Sequence, residues 1–579
     1  MQQPTPSDEQ QREIDVTPDW HEEYDLVVVG AGAGGLTAAL VGAHHRLRVL
    51  LVEKTGFVGG TTARSGGALW LPDSPQARSY RQHDDAEEAH RYLDALVGDR
   101  SPRELREAYV EAAPRMVEYL DRHSEVRFEL APAELDYRME LPGASHGGRV
   151  LRPLPFDGRR LGRQFERIAP PLPELMLLGK LMVTRAEVSR LLAWPSPSAL
   201  TLATRLLARY AIDRVRYSRG TRLVLGNALV ARLFHSVLAQ DVPIRFGAIA
   251  RDLVVRSRRV VGVSLEHDGD PIAIRALRGV VLAGGGFPAD ASLRSRLLPA
   301  PTAPFTAAYE ACIGETLSLA ERAGAAFQGS EDNALWFPSS TMSRTDGSTA
   351  VFPHIVLDRA KPGLVAVDAR GRRFVDEAVS YHEFVRAMYR AHRSGCPSIP
   401  THLVCDRRFL WRYGLGMVRP RTHRLRRFLE SKYLSWANSV EELAGVLGID
   451  SSALRETIER HNRFARSGVD EDFGKGANAY DRSNGDAAHR PNPCLGPIDT
   501  PPFYSVAVWP TPLATSWGVR TDRWGQVIDA SGAPIDGLYA CGNDMQPVWG
   551  GEYPGPGAQI GPAMTFGYLA AKHAAVSAD

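Results

Sequence analysis

Cysteine is sparse in this chain of 579 residues. The five present, Cys312, Cys396, Cys405, Cys494 and Cys541, are odd in number and never form a CxxC pair. That spacing suggests neither a disulfide framework nor a zinc or other metal site, and it fits a reducing, cytoplasmic compartment. No run of eighteen or more apolar residues occurs, so no transmembrane helix is expected. The opening stretch MQQPTPSDEQQREIDVTPDW is polar and has no apolar core, so no signal peptide is expected there. Lysine is scarce, arginine carries nearly all the positive charge, and the net charge is only +2. That balance gives no reason to expect nucleic acid or an acidic partner. No internal repeat is visible. What remains is an ordinary globular composition, 44% hydrophobic and 23% charged, in a chain long enough for two or three domains.

The informative residues start at 24–30, YDLVVVG, a short apolar run that reads as a buried parallel strand. GAGAGG follows, and Gly30, Gly32 and Gly35 satisfy G-x-G-x-x-G around Ala33 and Gly34. A helical stretch, LTAALVGAHH, leads to a second strand, LRVLLVEK, which ends in Glu53 and Lys54. Each part has a mechanical task. The first glycine permits a tight turn, the second lets backbone approach a pyrophosphate, and the third lets helix pack close to strand. The helix N-terminus faces the phosphates, and an acid about twenty positions on accepts the ribose hydroxyls. Strand, glycines, helix, strand and acid all occur in order. The unit is read as a dinucleotide site.

Residues 55–72, TGFVGGTTARSGGALWLP, continue with glycines and small hydroxyl residues where an NAD domain would run into another βα unit. This stretch resembles the flavin-contacting segment of the fumarate reductase and 3-ketosteroid dehydrogenase flavoproteins. In those proteins backbone amides and hydroxyls line the diphosphate and the isoalloxazine. The resemblance gives that role to Gly60, Thr61, Thr62, Ser65, Gly66 and Gly67. Two further strand-to-glycine segments, GVVLAGGGF (279–287) and GLYACGND (537–544), resemble strands that return to the cofactor in the same superfamily. They add Ala283, Gly284, Gly285, Gly542 and Asn543, and the C-terminal segment adds Ile560. The implied cofactor is FAD, held without a covalent bond. The implied fold is α/β, a Rossmann-like FAD-binding domain (a parallel sheet flanked by helices) with an inserted α+β catalytic domain. The expected boundaries are a flexible segment 1–23, the first part of the FAD domain at 24–290, the insert at 291–489 and the return segment at 490–579.

Within the insert, TLSLAERAGAAF (316–327) has helical periodicity and GLVAVDARGRRFVDE (363–377) reads as strand with a turn at DARG. SVEELAGVLGI (439–449) reads as a helix whose Ser439 and Glu442 match a capping box. Residues 169–222 are apolar but punctuated by Arg185, Arg190, Arg205, Arg209, Arg214, Arg216, Arg219 and Arg222. Such a stretch either lies on a membrane surface or forms helices packed on the body or on a second subunit.

The last signal is GGEYPGPGAQIG (550–561), one phenol in a loop of glycine and proline. With LYACGNDMQPVWGG before it, GYLAAKHAA after it and LDYRMELPGASHGGRVLRPLPFDGRRLG at 135–162, it resembles the 3-ketosteroid Δ1-dehydrogenases over most of the chain. That family uses three tyrosines and a glycine. Its Y-P-G-x-G motif falls on Tyr553 and Gly557, its base tyrosine on Tyr381 after GRRFVDEAVS, and its third tyrosine on Tyr137 in the Asp136-Tyr137 pair. The implied substrate is a 3-ketosteroid. Tyr553 O–H and Gly557 N–H would polarise the C3 ketone as an oxyanion hole, with Pro554 and Pro556 holding φ fixed. Tyr381 would take the C2 proton, Tyr137 would stabilise its phenolate, and flavin N5 would accept the C1 hydride.

Rival readings are a ketosteroid dehydrogenase acting at C4–C5, and a fumarate-reductase-like enzyme using Arg and His from YHEFVRAMYRAHR (381–393). A flavin-fold protein that binds lipid without turnover is the third. No second nucleotide motif occurs, so a quinone or another carrier is the expected electron acceptor. The protein is expected in the cytoplasm, with peripheral membrane contact through 169–222 if that stretch binds lipid.

Overall fold

The computed structural model describes residues 19–80, 85–192, 196–344, 346–355 and 358–576. Most of the expected flexible segment 1–23 lies outside these residues.

Five strands build a parallel core in the spatial order Ile244–Phe246, β2 (Val49–Glu53), β1 (Glu22–Val29), β3 (Asp270–Leu282) and β4 (Pro534–Ala540). Leu26–Val29 of β1 and Val49–Val52 of β2 are apolar and buried, the pattern of parallel strands inside a covered sheet. Helix α1 (Ala33–His44) is buried along Ala33–Gly42 and shows no polar stripe. It packs on β1 and β2 beside the C-terminal helix Ile560–Val576, which packs on β3 and β4, and only small residues fit where the two helices meet. A Cβ on Gly567 would come within 2.5 Å of the Gly34 carbonyl oxygen.

The register matters for function. Val29 pairs with Val52 and Leu282, and Leu282 pairs with Ala540. Four strands therefore end at one level, and Gly30, Glu53, Ala283 and Cys541 leave the sheet side by side. This is the carboxyl edge at which open α/β sheets bind ligands.

A six-stranded antiparallel sheet forms the centre of the second unit: Thr349–Pro353, Phe327–Ser343, Phe503–Val519, Thr401–Asp406 and Leu364–Val367, with Ser435–Ala437 also on Phe503–Val519. Its longest shared strand lies beyond residue 489, so the chain leaves this sheet at Val519 rather than at the expected boundary. The local expectations there have physical counterparts. Asp368 accepts from Arg370 N and Arg372 N across the DARG turn. Ser439 caps the helix Val440–Leu447 by accepting from Glu442 N at 3.1 Å, and Glu442 reaches back to Asn438 N.

In 169–222, helices Arg185–Leu192 and Pro197–Asp213 sit on the surface. Arg209 pairs with Asp157, Arg222 pairs with Glu187, and Arg219 donates to Asn227 and the Ile168 carbonyl. Leu178, Leu200, Ile212 and Val215 are nevertheless more than half exposed. Among the described residues no helix is long and apolar enough to cross a membrane.

Candidate active site

A cavity of about 1020 Å³ opens between the two units along the carboxyl edge of the parallel sheet. Its lining includes Gly30, Gly32, Ala33, Gly34, Glu53, Lys54, Gly60, Thr61, Thr62, Ser65, Gly66 and Gly67. It also includes Ala283, Gly284, Gly285, Gly542, Asn543 and Ile560, together with Tyr137, Tyr381, Tyr553 and Gly557. Of the sequence-predicted site residues only Gly35 stands outside it. A Cβ there would strike the Gly30 carbonyl oxygen at 1.9 Å, so Gly35 serves packing under the turn.

The cradle suits FAD. Gly32 caps α1 with no side-chain hydrogen bond of its own, Ala33 N reaches Thr62 Oγ1 at 3.4 Å, and Gly32, Ala33 and Gly34 bring the helix N-terminus to the cavity wall. A Cβ on Gly32 or Gly60 would meet nothing within 4 Å, which is open space for a ligand against bare backbone. Glu53 is held by Ala31 N at 3.0 Å and by Thr55 N and Oγ1 at 2.9 Å. Burial pushes its carboxyl pKa up despite those bonds.

Asp544 had no role in the sequence reading, although it ends the GLYACGND segment. It is fully buried, and it accepts from Gly284 N at 2.6 Å and Gly286 N at 2.8 Å. The last of the three strand-to-glycine segments thus clamps the one before it. Asp544→Asn puts an amide N–H where a carboxylate oxygen accepts, and an unpaired buried donor costs about 1–3 kcal/mol. We expect FAD affinity to fall at least about tenfold, as read from flavin release during dilution.

Three tyrosines meet at the far side of the cradle. Tyr381 opens the helix Tyr381–Arg393, whose cap Ser380 accepts from Glu383 N at 3.3 Å. The Tyr137 hydroxyl donates to that of Tyr381 at 3.1 Å. Ring centroids stand 5.6 Å apart for Tyr137 and Tyr553, which are stacked, and 5.4 Å for Tyr381 and Tyr553, which meet edge on. Burial, then the neighbouring phenols, hold Tyr137 and Tyr381 well above the usual tyrosine pKa. Burial pushes Tyr553 up to about 12, opposed by the Tyr381 hydroxyl beside it. All three are phenols at neutral pH.

Backbone ties explain the convergence. Tyr137 N donates to the Pro554 carbonyl at 3.0 Å, and the Tyr92 hydroxyl donates to the same oxygen at 2.9 Å. Asp136 accepts from Trp70 Nε1, Ser145 N and Arg149 Nη1 at 2.7–2.9 Å, which fixes the residue before Tyr137. Gly557 has φ +93°, and a Cβ would lie 2.4 Å from the Ala68 carbonyl. Glycine is thus required there by conformation and by packing on Ala68, as well as for any approach of a ligand. Its N–H donates to no acceptor among the described residues.

A fourth phenol, Tyr480, packs edge on to Tyr137 at 5.1 Å and lines the same cavity. No glycine, periodicity or charge pattern in NAYDRSN marks it. Its neighbour Asp481 is hydrogen-bonded to Asp376, five residues before Tyr381, and both carboxyls are buried. Burial, then the facing carboxyl, raises the Asp376 pKa above its ordinary 3.8. The folded pair therefore keeps a proton that the unfolded chain releases above about pH 4. Stability falls as pH rises from there toward the folded-state pKa, by up to about 1.4 kcal/mol per pH unit. Asp376→Asn keeps a donor without the titration. Its thermal unfolding temperature should drop less than wild type's between pH 5 and pH 9.

A dinucleotide cradle at a parallel-sheet edge, facing a second unit that closes the cavity with phenols, defines an FAD-dependent oxidoreductase. The chain belongs to the FAD binding domain family, which matches residues 25–560. It is 37% identical over 567 residues to a 3-oxosteroid 1-dehydrogenase of Mycobacterium tuberculosis, covering 96% of this chain and 98% of that one. It is 32% identical over 562 residues to a 4-oxocyclohex-2-ene-1-carboxylate 5-dehydrogenase of Sinomonas cyclohexanicum, covering 95% and 93%. The crystal structure of the 3-ketosteroid Δ1-dehydrogenase of Sterolibacterium denitrificans, in complex with 1,4-androstadiene-3,17-dione, superposes with a TM-score of 0.90 at 35% identity. That match covers 96% of this chain and 100% of the other.

Proposed function

We propose that the chain introduces the C1–C2 double bond into 3-ketosteroids, and one observation carries the reading. Tyr137, Tyr381 and Tyr553, with an N–H of Gly557 that has no acceptor among the described residues, converge on the cavity that holds the cradle. The C2 proton of a 3-ketosteroid is weakly acidic until its ketone is polarised. Tyr553 O–H and Gly557 N–H are the two donors for that oxygen. Tyr381 takes the C2 proton as a phenolate, and Tyr137 stabilises that phenolate by donating to it and passes the proton outward. Bound FAD, in the cradle of Gly30–Gly35, Glu53, Gly60–Gly67, Ala283–Gly285 and Gly542–Asn543, supplies the hydride acceptor.

Because burial raises the Tyr381 pKa, its phenolate is scarce at neutral pH and increases with pH. The rate should rise steadily from pH 6 to pH 10, by up to tenfold per unit; a flat profile over that range would count against Tyr381 as the base.

The cavity continues from the tyrosines past Leu172, Leu175, Met176, Met182 and Val183. These apolar side chains support a polycyclic ketone over the single carboxylated ring in the name of the Sinomonas relative. Comparing kcat/KM for androst-4-ene-3,17-dione and 4-oxocyclohexanecarboxylate tests this choice, and preference for the monocyclic acid would overturn it. The fumarate-type reading loses support because Tyr381 is the sole residue of its helix on the cavity wall. Arg386 is instead engaged by Glu552 and Glu383.

Leu175, Met176 and Val188 line the cavity and border the exposed Leu178. With exposed Arg205, Arg214 and Arg216 beside apolar Leu200, Ile212 and Val215, this supports steroid entry from a membrane surface. Leu178→Asp with Ile212→Asp should abolish co-sedimentation with anionic lipid vesicles while sparing turnover in detergent. A quinone in that membrane is the proposed acceptor for the electrons.

A further inference from the structure

Four charged side chains outside the large cavity sit beside the three tyrosines in sequence. Arg138 follows Tyr137. Glu383 and Arg386 follow Tyr381 on its helix. Glu552 precedes Tyr553. In space they form one line. Arg138 Nη1 lies 3.9 Å from Glu383 Oε2, and Glu383 Oε1 lies 3.4 Å from Arg386 Nη1. Arg386 Nη1 donates to both Glu552 oxygens, at 2.9 and 3.0 Å. Arg386 also reaches Glu331 at 3.3 Å and Asp332 at 3.7 Å, and Arg100 Nε lies 3.5 Å from Glu552. The Glu552 side chain is only 5% exposed and that of Arg386 16%. An ion pair this enclosed is screened little by water or salt.

The backbone shows why an anchor is needed at 552. Gly550 and Gly551 have φ of +58° and +88°, the flexible left-handed region open to glycine. Pro554 and Pro556 follow Tyr553 and are stiff. Glu552 thus joins a turn that only glycine can form, packed on Arg100 and Ser330, to a proline-stiffened run. The Tyr137 segment is already bonded to the Pro554 carbonyl. The helix carrying Tyr381 belongs to the other unit; Tyr381 and His382 meet the Tyr553 ring from it, and Arg386 adds a charged grip on the same loop.

We propose that Arg386 and Glu552 are positioning residues, whose ion pair sets the spacing between the base Tyr381 and the ketone donor Tyr553. This rests on the dehydrogenase reading above. Misplacement by 1 Å of reacting groups can cost about 10²-fold in rate, so the pair acts on turnover through geometry without touching substrate.

The test uses the FAD-loaded full chain with androst-4-ene-3,17-dione. Glu552→Gln and Arg386→Lys should each lower kcat about 10–100-fold, with KM within about threefold of wild type and FAD content unchanged. The conservative variant Glu552→Asp, which keeps the charge facing Arg386, should lose less kcat than Glu552→Gln. Wild-type kcat in both Glu552→Gln and Arg386→Lys, or losses confined to KM and FAD content, would overturn the proposal. A crystal structure of Glu552→Gln gives a readout independent of the substrate. The Tyr381–Tyr553 centroid separation of 5.4 Å should change by more than about 1 Å. An unchanged separation would overturn the positioning role even if the steroid proves to be the wrong substrate.

Discussion

Tyr381→Phe is expected to lower the rate of flavin reduction by 3-ketosteroid by roughly 10²–10⁴-fold, the range for removing a general base. The fold should survive. The ring packs edge on against Phe337 at 4.4 Å and against Tyr553, and phenylalanine keeps both contacts. The lost hydroxyl leaves Tyr137 without its acceptor, a cost of about 1 kcal/mol, so FAD content and KM should stay near wild type. The pH profile separates this loss from a general disturbance. If the Tyr381 phenolate is the reactive form, the residual activity of the variant must lose the rise between pH 6 and pH 10. A variant with unchanged slope would assign the base elsewhere.

Tyr553→Phe removes one of the two donors aimed at the ketone. Removal of a single oxyanion donor costs about 10²–10³ in kcat, and Gly557 N–H then acts alone. Here the slope of the pH profile should persist, because Tyr381 still titrates. Exchange of the steroid C2 hydrogen for deuterium should fall in parallel with turnover, since both need the polarised ketone. Rapid exchange with slow turnover would mean that Tyr553 serves another step. The two variants thus differ in shape of response as well as in size.

Much of the cofactor cradle was legible because its signals are local. A strand that ends in glycine at the carboxyl edge is written in consecutive residues, and three such segments share one register. The tyrosines are different. Tyr137 and Tyr381 are 244 residues apart, and no periodicity predicts their hydrogen bond, so only the resemblance pointed to them. Tyr480 had no such pointer, because its segment carries no punctuation. Asp544 lay inside a quoted motif but acts on the backbone of another segment, a contact that exists only once β3 and β4 pair. The reach of Phe503–Val519 into the antiparallel sheet was equally hidden. Where a chain crosses between units is decided by pairing partners far away in sequence. For 169–222 the composition left two alternatives open; in the structure Arg209, Arg219 and Arg222 turn to the body, and Leu178, Ile212 and Val215 are exposed.

The central claim is Δ1-dehydrogenation of a ketosteroid by a flavin held in this cradle. Its most direct test is anaerobic addition of androst-4-ene-3,17-dione to the purified yellow protein with no other acceptor present. The account predicts bleaching of the oxidised flavin band and one equivalent of the 1,4-diene for each flavin reduced. A flavin that stays oxidised with this steroid, or a product lacking the C1–C2 double bond, would contradict it.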